Sequence, residues 1–180
     1  MIEVVTGLFD DLLCQLNDRR RAHSREVGRK AASAAQLVPA WLRADLVTAA
    51  TLHDIGYAYR DTGFHALDGA YFLVAKGFSP IVCNLVVHHS ASTVEAQVRG
   101  FDLSMYDSFE VEQDLRAAHQ IIAWADMTTG PAGQTMTVED RLDEICSRYG
   151  PDDLVTTFIG RARPVLLAAG GQSPTGSIQV

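Results

Sequence analysis

The chain has 180 residues, of which 47% are hydrophobic and 21% charged. This length and composition predict one globular domain and argue against an intrinsically disordered chain. A formal charge of −7 argues against non-specific binding to nucleic acid polymers, which requires phosphate neutralisation, and no apolar run reaches the roughly 20 residues that a membrane-spanning helix needs.

The first half of the chain has the periodicity of helices. Apolar residues recur at helical spacing over 4–16. Asn17-Asp18 can cap a second helix that runs to about Leu37. Pro39 lies near the start of a third helix, and the pattern at 64–75 predicts a fourth, which Gly77 ends.

The middle of the chain alternates between helical and irregular patterns. Ser79-Pro80 is a start signal for a helix that reaches His89. The stretch 90–111 has little periodicity and is predicted to be a loop with one broken helical turn. Residues 114–127 are again apolar at helical spacing, whereas 128–134, with two glycines and a proline, are expected to form a surface loop.

Two more helices are expected towards the C-terminus. Thr137 can cap a helix that runs to Tyr149, and Asp152 or Asp153 can cap a last helix to about residue 169. The tail from residue 170 is rich in Gly, Ser and Thr, and we expect it to be disordered. Since strand-like alternation is confined to a few residues at a time, the sequence predicts an all-α fold with one domain over 1–169.

Two observations bear on the cellular location. The cysteines Cys14, Cys83 and Cys146 lie far apart and form no CxxC pair, which is typical of reduced thiols rather than of a disulfide framework or a zinc ribbon. The first sixteen residues carry no basic residue, unlike a secretory signal. We therefore expect a cytoplasmic protein.

The placement of the six histidines is the most informative feature. His53-Asp54 lies inside an apolar predicted helix, where polar groups are costly to bury unless they are compensated. Gly56 marks an irregularity that would let both side chains reach one ion. Imidazole next to carboxylate suits a divalent transition metal, and a carboxylate can bridge two of them.

His53-Asp54 also belongs to an ordered series along the chain, from His23 through His65 and His88-His89 to Asp126. The chain resembles the HD-domain metal-dependent phosphohydrolases in three motifs: Arg-Arg-Ala-His-Ser at 20–24, Leu-His-Asp-Ile-Gly at 52–56 and Ala-Trp-Ala-Asp at 123–126. The resemblance covers roughly residues 23–126 and implies an all-α HD-type helical bundle.

The resemblance also implies the ligands and the chemistry. A first metal ion would be held by His23, His53, Asp54 and Asp126. A second ion would be held by His65 and by His89, with His88 as the close competitor for that position. Paired divalent ions, which can be Fe, Mn, Co, Ni, Zn or Mg, would polarise a phosphoryl oxygen and hold a bridging hydroxide as the nucleophile, so that His53 and Asp54 are the catalytic candidates.

The substrate-binding candidates depart from the family pattern. Many HD hydrolases have Lys three residues after the Asp of the His-Asp pair, where this chain has Tyr57. Arg60 can replace that lysine only if the helix continues. Arg19 and Arg20 share the helical face of His23 and can meet a phosphate, although a solvated basic face is an equally good interpretation. His119 matches no word of the family and is expected to be a solvated helix residue.

The sequence lacks the motifs that mark two branches of the family. No Gly-Tyr-Pro follows the histidine pair, so cyclic-dinucleotide hydrolysis is unsupported. No Ile-Glu-Pro, which is associated with the HD-type diadenosine tetraphosphate hydrolases, follows Asp126, so the substrate stays open. The leading hypothesis is hydrolysis of a small phosphorylated molecule, with a nucleotide first. The alternatives are a di-iron oxygenase with the same ligands and a non-catalytic nucleotide-sensing domain. The sequence leaves the oligomeric state open.

Overall fold

The computed structural model describes residues 9–170, and apart from one isolated bridge between Thr129 and Thr135 the regular structure of that range is helical. The α-helices are α1 (Asp18–Ala34), α2 (Arg43–Leu52), α3 (His65–Ala75), α4 (Pro80–Val87), α5 (Ser92–Arg99), α6 (Arg116–Met127), α7 (Val138–Tyr149) and α8 (Leu154–Gly170). Short 3-10 helices lie at Ala35–Leu37, Ala40–Leu42, Ile55–Tyr57, His89–Ala91 and Leu103–Phe109. The all-α prediction is confirmed.

Both ends of the predicted structure extend beyond the described residues. Of the first predicted helix, residues 9–13 are helical, and residues 4–8 lie outside the described range. The predicted tail lies outside it from residue 171 onward.

The capping predictions are confirmed at three helices. The side chain of Asn17 accepts a hydrogen bond from the backbone N–H of Arg20, and Ser79 and Thr137 do the same at the starts of α4 and α7. These side chains satisfy amide groups that have no partner inside the helix. At the other end of α7, Gly150 has a φ of 87°, which is costly for residues with a Cβ.

The helices pack around two groups of buried side chains. α1 packs against α2 and α6, and α4 packs against α2 and α3. This larger core is built on fully buried residues such as Val27, Leu46, Leu85 and Ile122. α7 and α8 pack on each other, and α8 also contacts α5 and α6, which gives a smaller core that includes Leu142 and Ile159. The last two helices therefore lie against the end of α6.

Three local predictions are wrong. The stretch expected to be a loop contains α5 and the 3-10 helix Leu103–Phe109, because polar Ser92 and Glu95 lie on the buried face of α5 and hide its apolar pattern. The helix expected to reach His89 ends at Val87. The loop at 128–134 is not wholly on the surface, since Thr129 is fully buried and Gly130 is also buried.

The structure also bears on the membrane prediction. Within residues 9–170, every helix is too short or too polar to cross a lipid bilayer.

Candidate metal centre

Two helix ends orient two of the predicted histidines. His53 directly follows α2 and His89 follows α4 by two residues. Their Nδ1 atoms lie 2.8 Å from the carbonyl oxygen of Ala50 and 2.6 Å from that of Val86. A carbonyl can only accept, so each Nδ1 carries the proton and each Nε2 is left with a free lone pair. The last carbonyls of a helix have no partner within it, which is why these bonds form.

His23 is oriented in the same way from the middle of α1. Its Nδ1 lies 3.2 Å from the carbonyl oxygen of Gly130, and its Nε2 lies 3.1 Å from Oδ1 of Asp126. With Nδ1 donating to Gly130, Nε2 and the carboxylate oxygen are two acceptors that face each other. Such a pair requires a proton or a cation between its members.

Asp54 lies at the centre of the assembly. Its Oδ2 is 3.4 Å from His53 Nε2 and 3.8 Å from His23 Nε2, and its Oδ1 is 3.8 Å from His65 Nε2. The Nε2 atoms of His65 and His89 are 3.2 Å apart. Two sets of three side chains, each with ligand atoms within 4.8 Å of one another, therefore share Asp54: His23, His53 and Asp54, and Asp54, His65 and His89.

The donor set fits a divalent metal ion. His53 Nε2 is buried and has no hydrogen-bond partner among the described residues, which is costly for a polar atom unless a cation satisfies it. Burial lowers the pKa of His53 and His65, so both rings stay neutral, which is the form that binds metals. Mixed imidazole and carboxylate donors suit transition metals such as Zn, Fe, Mn or Co.

Charged and polar neighbours hold the two carboxylates in their ionised form. Burial alone would raise the pKa of Asp54, but the Arg20 guanidinium, whose Nη1 is 2.6 Å from Asp54 Oδ2, holds it well below its usual range. Burial would likewise raise the pKa of Asp126, but the neighbouring imidazoles of His23 and His53 lower it. Ser90 Oγ donates to the other Asp126 oxygen at 2.5 Å.

Ser90 reaches Asp126 because the chain turns sharply after α4. Ser90 and Ala91 have φ values of 47° and 61°, in the left-handed region, which costs about 1–2 kcal/mol for residues other than glycine. The turn places the side chains of His89 and Ser90 on the same site from consecutive positions.

The structure brings together six of the seven predicted ligands, which we call the His/Asp cluster: His23, His53, Asp54, His65, His89 and Asp126. His88 lies apart from it. The His88 ring packs against Tyr106 and His119, with centroids 5.1 and 5.8 Å away. His119 is half-buried, and its Nε2 lies 3.1 Å from Asn84 Oδ1. The expectation of a solvated His119 is therefore wrong.

The predicted substrate-binding residues are placed differently from one another. Besides contacting Asp54, Arg20 lies 3.9 Å above the ring of Tyr57, which stacks on His65 at 4.3 Å. Arg60 is exposed and lines a separate depression, because the helix before it has ended and the chain has turned away. Arg19 is exposed at the rim of a cavity that also contains Arg20.

Several residues near the cluster were missed by the sequence analysis. The cavity beside the His/Asp cluster, which we call the cluster cavity, is lined on one side by α7 and α8 through Arg141, Ile145, Arg148, Phe158 and Ile159. These residues come after the last family motif, at 123–126, and belong to no motif themselves. Ser90 could have been identified from the sequence as a site residue, because it directly follows the histidine pair.

Comparison with known proteins gives one match. The family model described as HD domain matches residues 20–130, a segment that begins at Arg20 and includes all six members of the cluster. No curated protein and no solved structure shows a significant match to the chain.

Proposed function

The chain belongs to the HD domain family, and from this we propose that it is a metal-dependent phosphohydrolase that acts on a small phosphorylated molecule, with a nucleotide as the first candidate. One observation carries the proposal. The Nδ1 atoms of His23, His53 and His89 are all occupied by backbone carbonyls, so three Nε2 lone pairs converge on the carboxylates of Asp54 and Asp126. This preorganised donor set has the chemistry of a metal centre.

We propose two metal ions rather than one. His23, His53, Asp54 and Asp126 would hold the first, and His65 and His89 would hold the second together with Asp54, because Asp54 belongs to both groups of neighbouring ligand atoms. When bound, divalent ions at such a site supply Lewis-acid polarisation of a phosphoryl oxygen and make water more acidic. We leave His88 out of this proposed ligand set, since its ring packs against Tyr106.

The chain's own residues would hold the substrate and the ligands in place. Arg20 neutralises Asp54 and lines the cluster cavity, so its guanidinium is placed to donate to a phosphate oxygen. Tyr57 stacks on His65 and beneath Arg20, and thereby fixes both. Tyr57 takes the position where related enzymes have a lysine, so Arg20 is the nearest available cation for this role.

The test is phosphate release from a panel of nucleotides and small phosphoesters, run anaerobically with added Mn²⁺, Co²⁺, Ni²⁺ or Mg²⁺. Two variants of adjacent histidines form a matched pair. We expect His89→Ala to lose metal and turnover and His88→Ala to retain both. His53→Ala should also abolish turnover.

Each other outcome points to a different function. A protein that carries two irons per chain and releases no phosphate would contradict the hydrolase and favour the di-iron oxygenase, which uses the same ligands. A protein that shows no turnover and carries no metal would favour the non-catalytic nucleotide-sensing domain. Unchanged metal content in His53→Ala would contradict the site assignment itself.

Two further proposals concern the context of the protein. The three cysteines are unpaired among the described residues, which supports a cytoplasmic location, where thiols stay reduced. The net negative charge supports a small-molecule partner rather than a nucleic acid polymer.

A further inference from the structure

Arginine side chains from two distant parts of the chain meet beside the His/Asp cluster. The cluster cavity is bounded by His65, His89 and Asp126, and a neighbouring cavity is bounded by Arg19 and His23. Three arginines line both cavities: Arg20 from α1, and Arg141 and Arg148 from α7. α7 lies outside residues 20–130, which the family model matches.

Arg141 is unusual among these arginines because it is buried and incompletely satisfied. Its side chain is 4% exposed, and its Nη1 donates to Glu144 at 2.5 Å. Its Nε is buried and has no hydrogen-bond partner among the described residues. A buried donor without a partner is costly, so Glu144 alone does not satisfy the Arg141 guanidinium.

The arginines around the cluster cavity favour an anionic ligand once the metal ligands are counted with their metal ions. Arg20, Arg141 and Arg148 contribute three positive charges, and the carboxylates paired with them are Asp54 and Glu144, the latter shared between Arg141 and Arg148. The cavity is also lined by Asp126, a proposed metal ligand, and by Glu95, which pairs with Arg99. A guanidinium presents donors in a planar fork that matches phosphate oxygens. The cluster cavity has a volume of about 70 Å³, which suits a single phosphoryl group rather than a whole nucleotide.

We infer that Arg141 is a substrate-binding residue that receives the phosphoryl group of the substrate at the cluster cavity. The inference rests on the proposed function for the identity of the anion. Ile145 and Phe158 line the same cavity and exclude water from the ion pair that Arg141 would form, which strengthens it. The C-terminal helices would therefore add to the metal centre a second phosphate contact, besides that of Arg20, from outside the HD segment.

The test measures binding of inorganic phosphate to the Mn²⁺-loaded protein by calorimetry, with no turnover required. We expect Arg141→Gln to weaken phosphate binding by about tenfold to a hundredfold, the range of a charge-assisted hydrogen bond, with metal content unchanged. Arg141→Lys keeps the positive charge but loses the planar arrangement of guanidinium donors, so it should retain only part of the phosphate affinity that Arg141→Gln loses. Arg29→Gln is the matched control, because Arg29 also pairs with a glutamate three residues away but is exposed.

Glu144→Gln separates ligand binding from a structural ion pair. If Arg141 binds phosphate, removing its internal counterion should tighten phosphate binding, and this gain should disappear in the Arg141→Gln background. If Arg141 only holds α7 in place, both variants would lower the melting temperature and leave phosphate affinity unchanged, which would overturn the inference. Absence of phosphate binding by the wild-type protein would also overturn it.

The two proposals fail in different ways. Phosphate release that persists with an unchanged KM in Arg141→Gln would overturn the role of Arg141 and leave the hydrolase standing. Weakened phosphate binding in a protein that hydrolyses no phosphoester would leave the anion site standing and overturn the hydrolase.

Discussion

The burial of His119 makes the stability of this protein depend on pH in a calculable way. Burial, with the neighbouring imidazoles of His88 and His89, lowers the pKa of His119 from 6.5 to about 4. The unfolded chain therefore binds a proton as the pH falls below 6.5, whereas the folded chain stays neutral at this ring. Stability from this group is complete above pH 6.5 and is lost as the pH falls towards 4.

The magnitude follows from the shift. A change of about 2.5 units, at about 1.36 kcal/mol per unit, gives an upper bound of about 3 kcal/mol for the full effect. Between pH 7.5 and 5.0 the expected loss is about 2 kcal/mol. The group sits in a depression that also contains Asp114 and Arg116, whose opposite charges limit their net effect on it.

The assay compares the wild-type protein with His119→Gln, whose amide can still donate to Asn84 Oδ1. Urea unfolding of both chelator-treated proteins at pH 7.5 and 5.0 should show that the wild type loses about 2 kcal/mol more than the variant. His53 and His65 also have lowered pKa values. Both residues are present in both proteins, so their contributions to the pH dependence of stability cancel in the comparison. Equal losses in the two proteins would refute the assignment of a neutral, buried His119.

Two other predictions concern the metal centre and its support. Ser90→Ala removes the hydroxyl that orients Asp126, so calorimetry should show metal binding about 10–100 times weaker, and unchanged affinity would show that the hydrogen bond is dispensable. Gly56→Ala would place a Cβ 2.0 Å from the carbonyl oxygen of His65, which the backbone cannot avoid without moving His65. We expect Gly56→Ala to lower the free energy of unfolding, measured in urea, by several kcal/mol and to lose the second metal. The control Gly160→Ala, where nothing lies within 4 Å, should be neutral or slightly stabilising. A stable Gly56→Ala protein with both metals would contradict the close approach.

Helix positions could be predicted wherever capping and apolar periodicity agree. Asn17, Ser79 and Thr137 each mark a start that the structure confirms. α5 could not be predicted, because its buried face contains Ser92 and Glu95 and its hydrophobic pattern is therefore weak. Local sequence carries the signal of a cap, but it does not show which polar residues the tertiary structure will bury.

The choice between His88 and His89 could not be made from sequence for a related reason. α4 ends at Val87, and where a helix ends decides which of two adjacent side chains faces the interior. The periodicity predicted a helix two residues longer. Arg141 was beyond prediction altogether, because its proximity to Arg20 depends on how α7 packs and no spacing within the sequence reports that contact.

The endings of three helices give the centre a property that its ligands alone do not have. His53 follows the C-terminus of α2, His89 follows that of α4, and Asp126 lies in the last turn of α6. The C-terminal end of a helix carries a partial negative charge of about half an electron from its aligned peptide dipoles. All three helices therefore end beside the His/Asp cluster, so the backbone itself adds a negative potential there. The fold would therefore favour a cation at this position even where protonation removed the charge of a carboxylate.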